Sequence, residues 1–154
     1  IEQQEKIRIP ELLPLRHHRM GQSAFAFYRG SALLMAHDLA NDRKNTGIHV
    51  QLCGDAHLAN FGLFAAPNRD VLFDINDFDE THPGPFEWDV HRLATSYWLA
   101  LHDLGHSKAH GNEIVALLAR SYRKAIAHYA RIPEIDIWYE HPNESWMERT
   151  ASLS

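Results

Sequence analysis

Apolar and polar positions follow two different rhythms along this chain. Val90, Leu93, Ala94, Tyr97, Leu101 and Leu104 recur at helical spacing behind Asp89, a candidate N-cap, and Gly105 supplies a C-terminal stop. A second stripe of Ile114, Leu117, Leu118, Tyr122, Ala125, Ile126 and Tyr129 predicts a helix over 112–130, with the short link at 105–111 making the two antiparallel neighbours. Ser23 reads as the cap of an earlier helix running to about Asn41, with Phe27, Leu34, Met35 and Leu39 on one face and Gly30 as its weak point. Between these helical stretches lie three short β-like runs, at 49–53, 61–65 and 71–75. The turn signal Pro67-Asn68-Arg69-Asp70 joins the last two into a hairpin that places Asn60 and Asp77 at one open end.

The remaining stretches are irregular. Pro10, Pro14 and Gly21 predict an N-terminal arm over 1–22 that is extended or turned, without a long helix. Pro83, Gly84 and Pro85 make 81–86 a loop. Residues 131–154 form a tail broken at Pro133 and Pro142, where Ile135, Ile137, Trp138, Tyr139, Trp146 and Met147 show no clear period; they either cover the core or expose a face for a missing segment. The pattern predicts one α+β domain over 1–154, with short strands presenting loops against helices at 23–41, 89–104 and 112–130.

Composition narrows the functional classes. A net charge of -5 leaves no electrostatic footprint for DNA or RNA, and the basic run Arg16-His17-His18-Arg19 reads first as a solvated face and only then as a phosphate contact. Cys53 is the single cysteine, so no intramolecular disulfide forms, in keeping with a reducing, cytoplasmic setting. No apolar run approaches a membrane span. The chain opens without Met, and the expectation is a fragment of a longer protein.

Chemistry concentrates in two runs. Asp74, Asp77, Asp79 and Glu80 crowd four carboxylates together at the end of the third strand. Two of them 5 Å apart would repel by about 3 kcal/mol at an effective dielectric of ~20. A solvated acidic turn escapes that by spreading; a cleft escapes it by binding a divalent cation, with Mg²⁺ the expected partner of oxygen ligands. The sharper signal is Asp55 followed five positions later by Asn60, the spacing with which a phosphoryl-transfer loop holds a catalytic Asp and a metal-binding Asn. Asp77 would complete the metal shell, with Asp74 and then Asp79 as alternatives. The competing reading is a Gly-Asp turn closed by Asn60. His57 either orients Asp55, touches phosphate or is structural. Asp55-Ala56-His57 with Gly111-Asn112-Glu113 faintly resembles a metallophosphoesterase, without that pattern's His. His102, His106 and His110 have zinc-face spacing, but Gly105 and Gly111 interrupt it and no Cys joins.

These phrases carry a resemblance. Arg19-Met20, Phe25-Ala26-Phe27-Tyr28-Arg29-Gly30, the Gly54–Gly62 run, Asn76-Asp77-Phe78-Asp79-Glu80 and Gly84-Pro85-Phe86-Glu87-Trp88-Asp89 resemble domain-of-unknown-function family 2252, a group of uncharacterised bacterial proteins. That family is similar in turn to the protein-kinase-like superfamily, notably aminoglycoside phosphotransferases, with their His-Gly-Asp-x-His-x-x-Asn loop and Ile-Asp-x-x-Asp strand end. The resemblance implies a kinase C-lobe-like fold and an ATP- and Mg²⁺-dependent transfer to an unknown acceptor. Asp55 would be the catalytic-loop Asp, Asn60 and Asp77 the nucleotide- and metal-binding pair, and Asp89 the residue that caps the next helix and braces the loop. Cys53 stands where the phosphotransferases have His. No G-x-G-x-x-G and no V-A-I-K-like strand occurs here. The resemblance therefore also implies a partner within the full protein, a nucleotide lid following this region. A binding module without transfer is the alternative.

Overall fold

The computed structural model describes residues 8–41 and 45–140. Residues 1–7 of the expected arm, and Pro142, Trp146 and Met147 of the tail, lie outside them. The described part of the arm is more helical than its prolines suggest. A 3-10 turn at Pro10–Leu12 leads into α1, Leu13–Met20. Pro14 stands in the first turn of α1, where a missing N–H costs nothing and a fixed φ helps, so the helix starts at the proline instead of being broken by it.

The helix expected over 23–41 is two helices. Ser23 caps α2, Ala24–Arg29, by accepting the Ala26 N–H at 3.1 Å. The chain then turns at Gly30 and Ser31, and α3 runs over Ala32–Asn41. Packing explains the break. A Cβ on Gly30 would meet the Met20 side chain at 2.7–2.9 Å, so α1 presses directly onto the end of α2.

Four strands form two antiparallel pairs, one nested in the other: β1 (His49–Leu52), β2 (Phe61–Ala65), β3 (Val71–Ile75) and β4 (His82–Pro85). β2 and β3 are the expected hairpin, registered from Phe61↔Ile75 to Ala65↔Val71. β4 corrects the reading of 81–86 as loop, for it pairs with β1 from His49↔Pro85 to Leu52↔His82. The proline spacing permits this. Phe86 N–H donates to Ile48 O at 3.2 Å, so positions of its parity face β1, and Pro83 and Pro85, lacking N–H groups, face away. The outer pair ends at Leu52↔His82 and the inner begins at Phe61↔Ile75. Segments 53–60 and 76–81 therefore leave the same spot and face each other.

Two long helices flank this arrangement. α4, Glu87–Asp103, starts earlier than the expected Asp89, and α5, Lys108–Tyr129, starts at its Ser107 cap, four residues earlier than expected. The Gly105 stop is as expected: with φ +84° it lets its own N–H reach His102 O and the His106 N–H reach Leu101 O, closing α4 in a Schellman arrangement. Trp98 contacts Gly111 and Asn112 while Phe86 stacks on Tyr122, so the two helices run antiparallel. α6, Glu134–Tyr139, carries Trp138 and Tyr139 at 83% and 75% exposure, so these aromatics do not cover the core. That core is small: Met20, Ala32, Leu52, Cys53 and Ala56 are its buried apolar members among the described residues.

Gly54 is the most constrained glycine. Its φ is +87°, and a Cβ there would collide with the backbone carbonyl of Glu80. Gly54→Ala should lower stability by about 2 kcal/mol or more, because strain and collision act together. Thermal unfolding checks this; a melting temperature unchanged from wild type would contradict the close approach of the two loops.

Candidate functional site

One face of α4 holds the loop that follows β1. Asp89, Arg92 and Ser96 lie at i, i+3 and i+7, on a single stripe of the helix. The Asp89 carboxylate accepts the N–H groups of Cys53 at 2.7 Å and Gly54 at 3.0 Å. Ser96, fully buried, accepts the Leu58 N–H at 2.8 Å. Asp89 therefore does not cap its own helix, whose N-cap is Phe86 without a side-chain bond; it caps the neighbouring loop instead. The implied brace is present and the implied cap is not.

Between them Arg92 is 2% exposed, and its Nε donates to Asp55 Oδ1 at 2.8 Å. Its Nη2 donates to Tyr28 O at 2.6 Å, and the guanidinium lies 4.0 Å from the centroid of the Tyr28 ring. An ion pair so deeply buried is tolerated only with this degree of hydrogen bonding. Sequence reasoning missed Arg92 and Ser96. The signal was available: two polar residues at helical spacing from Asp89, on a helix otherwise read for its apolar stripe.

Asn60 ties the two facing loops together. It is buried, and its Nδ2 donates to Asp55 O at 3.0 Å and Asp77 O at 3.1 Å. Cys53 Sγ lies 3.7 Å from the same Asp77 carbonyl, and burial pushes its thiol pKa up. The Asn60 N–H donates to His57 O and its carbonyl accepts the Asn76 N–H at 2.9 Å, so the hairpin ladder extends into the loops. The Asn60 side chain thus joins the Asp55 and Asp77 backbones, while only the latter two residues line the cleft described next.

The side chains of Asp55, His57, Asp77, Asp79 and Glu80 line a polar cleft of about 260 Å³. Arg8, Arg16 and Arg29 line it as well. Glu80 titrates above the ordinary glutamate range, first because it is partly buried and then because Asp55, Asp77 and Asp79 repel its charge. His57 Nε2 is 3.8 Å from Asp55 Oδ2, while its Nδ1 is buried without a partner. Burial pulls the His57 pKa below 6.5 despite the nearby Asp55 charge.

Other expected site residues fall elsewhere. Asp74 pairs with Gly62 across the hairpin, is exposed, and bonds its own neighbour's N–H through Oδ1, away from the cleft wall. Asn112 is held by Trp98 Nε1, and no member of 111–113 lines the cleft. His102 stacks on Trp98 while His106 and His110 lie against each other. Among the described residues, no three His, Cys, Asp or Glu side chains come together as a metal site. A Mg²⁺ that arrives with phosphates needs only one or two protein carboxylates, and the oxygen donors of Asp77 and Asp79 on the cleft wall fit that demand. Asn60, expected as a metal and nucleotide ligand, does not line the cleft; its Nδ2 donates to the two carbonyls.

Fold and cleft define a mixed α+β domain in which two nested strand pairs bring polar loops over a buried Asp–Arg pair. The chain belongs to domain-of-unknown-function family 2252, described as an uncharacterized protein conserved in bacteria, whose family model matches residues 8–154. No curated protein and no solved structure matches it. No helix of the described residues is long and apolar enough to cross a membrane.

Removing Arg92 would strand the Asp55 charge. Arg92→Leu should cost about 3–5 kcal/mol. Adding Asp55→Asn should recover part of that loss, with a coupling of about 2 kcal/mol in denaturant titrations of the four-member cycle; strictly additive losses would rule out the pair as an energetic unit. His57 predicts a pH slope. Its folded pKa lies below its ordinary value, so the unfolded chain binds the extra proton first as pH drops through 6.5. The contribution from the neutral ring is complete above that pH and is lost below it, and His57→Gln should flatten this part of the stability profile.

Proposed function

We propose that the cleft binds the phosphate chain of a nucleotide and transfers its terminal phosphoryl group to a hydroxyl acceptor, as a relative of the kinase-like catalytic lobe. The observation that carries the reading is the Asp55 carboxylate, fixed at a cleft lined by both acids and arginines. Phosphoryl transfer asks for little covalent chemistry from protein; it asks for positioning and charge neutralisation. Asp55 orients the acceptor hydroxyl and takes its proton, with Arg92 holding Oδ1 and leaving Oδ2 toward His57. Arg8 and Arg29 offset phosphate charge. Asp77 and Asp79 hold Mg²⁺, which when bound neutralises phosphate oxygens. Asn60 keeps the two loops in register. The volume of the cleft suits phosphates alone, so the base and ribose would be covered by another part of the full-length protein.

A second reading, a nucleotide-binding module without transfer, is favoured by the Arg92 ion pair, which occupies Asp55 Oδ1 and leaves a single carboxylate oxygen for an acceptor. The full-length protein separates the two. ATP with Mg²⁺ should bind in calorimetry and yield ADP in the presence of acceptor. Asp55→Asn should remove turnover by roughly a hundredfold or more while nucleotide binding persists. Binding without any product from wild type would favour the module. Absence of nucleotide binding would end both readings.

A further inference from the structure

Beside the cleft lies a larger cavity of about 530 Å³, and its walls differ in kind. Arg16, Arg19, Arg29, Gln22 and His57 line it, and among the described residues no Asp or Glu does. By sequence, 16–19 reads as a solvated basic face on an extended or turned arm. The fold instead turns two helices toward each other. α1 delivers Arg16 and Arg19, α2 delivers Arg29, and Met20 seated against Gly30 forms the join. Arg16 Nη2 donates to the Gly30 carbonyl, and the Arg29 guanidinium rests 6.0 Å from the Phe25 ring centroid, so two of the three cations are held in place. His57, buried and with Nδ1 lacking a partner, lines both this cavity and the cleft, as do Arg16 and Arg29. The two spaces are thus contiguous through Asp55's own neighbours.

Arg19 and Arg29 bring like charges to one space beside Arg16, and in a chain of net charge -5 such a concentration is local and not a reflection of overall basicity. A cationic acceptor would add to that repulsion; an oxyanion relieves it and matches the planar donor fork of Arg. A volume of this size accepts a small molecule. We propose that this cavity is the acceptor pocket and that the acceptor is a small hydroxyl compound carrying a phosphate monoester, gripped by Arg16, Arg19 and Arg29. This rests on the phosphotransfer reading above. In the step, the acceptor oxygen forms a bond to the terminal phosphorus of ATP. The bond from that phosphorus to its bridging oxygen breaks with the electron pair leaving on ADP, and the hydroxyl proton passes to Asp55.

Arg19 lines the cavity and not the cleft, which makes it the discriminating position. Calorimetry on the full-length protein would use glycerol 3-phosphate, inorganic phosphate, glycerol and spermidine as probes, with ATP and Mg²⁺ titrated in parallel. Expected are binding of both phosphates, no binding of glycerol or spermidine, and a roughly tenfold or greater loss of phosphate affinity in Arg19→Glu with nucleotide affinity retained. Failure of the phosphates to bind, or indifference to Arg19→Glu, overturns the acceptor pocket while nucleotide binding leaves the phosphotransfer reading intact. Equal loss of phosphate and nucleotide in Arg19→Glu also overturns it, since the arginines would then serve the nucleotide. Binding of spermidine overturns the charge assignment. Phosphate binding that depends on Arg19 without any nucleotide binding sinks the phosphotransfer reading and, with it, the acceptor role, leaving an anion site.

Discussion

The buried face of α4 is the part on which the cleft depends. Asp89, Arg92 and Ser96 reach a loop that has no regular structure of its own between Leu52 and the short 3-10 turn at Leu58–Asn60. Each supplies a hydrogen bond the loop backbone or Asp55 would otherwise lack in a place shielded from water. An unmet polar group there costs more than an ordinary hydrogen bond contributes, so the helix and the loop are determined together. The arrangement also orients Asp55, since Arg92 is itself locked by Tyr28 through its carbonyl and ring.

This polar centre occupies the position a hydrophobic core would take in a more ordinary domain. The buried polar residues Ser31, His57, Asn60, Arg92 and Ser96 sit among a similarly small set of buried apolar ones. Much apolar surface remains outside: Ile48, Val50 and Ile126 are 57%, 40% and 50% exposed and line an apolar groove with Phe86 and Tyr122. Specificity of the fold here comes more from satisfied hydrogen bonds than from packed volume, and polar networks of this kind define one arrangement sharply because partial versions are costly.

The nested strands do the other half of the positioning. A hairpin inside a second strand pair forces its two connections to emerge side by side, whatever their sequence. The connections here are the Asp55 loop and the acidic run, and Asn60 bonds the backbone of both. Acids from both connections and arginines from α1 and α2 then line one cleft.

Local pattern determined much of this protein. The spans of the three early strands, the hairpin turn, both long helices and the Gly105 stop are written in short-range spacing and turn chemistry, because those depend on a few neighbouring residues. The Asp55–Asn60 spacing was legible because motif spacing survives without coordinates, but that Asn60 ties the Asp55 and Asp77 backbones together was not. Tertiary structure alone decided the rest. Pro-Gly-Pro became a strand because β1 lies on the side that needs no proline N–H. Gly30 split a helix because Met20 lies against it, and Asp89 left its own helix end to cap a loop 35 residues earlier in the chain. Arg92 acquired its importance only where the fold buried it against Asp55. Such effects come from partners that only the fold brings together, most of them, such as Asp55 and Arg92, far apart in sequence.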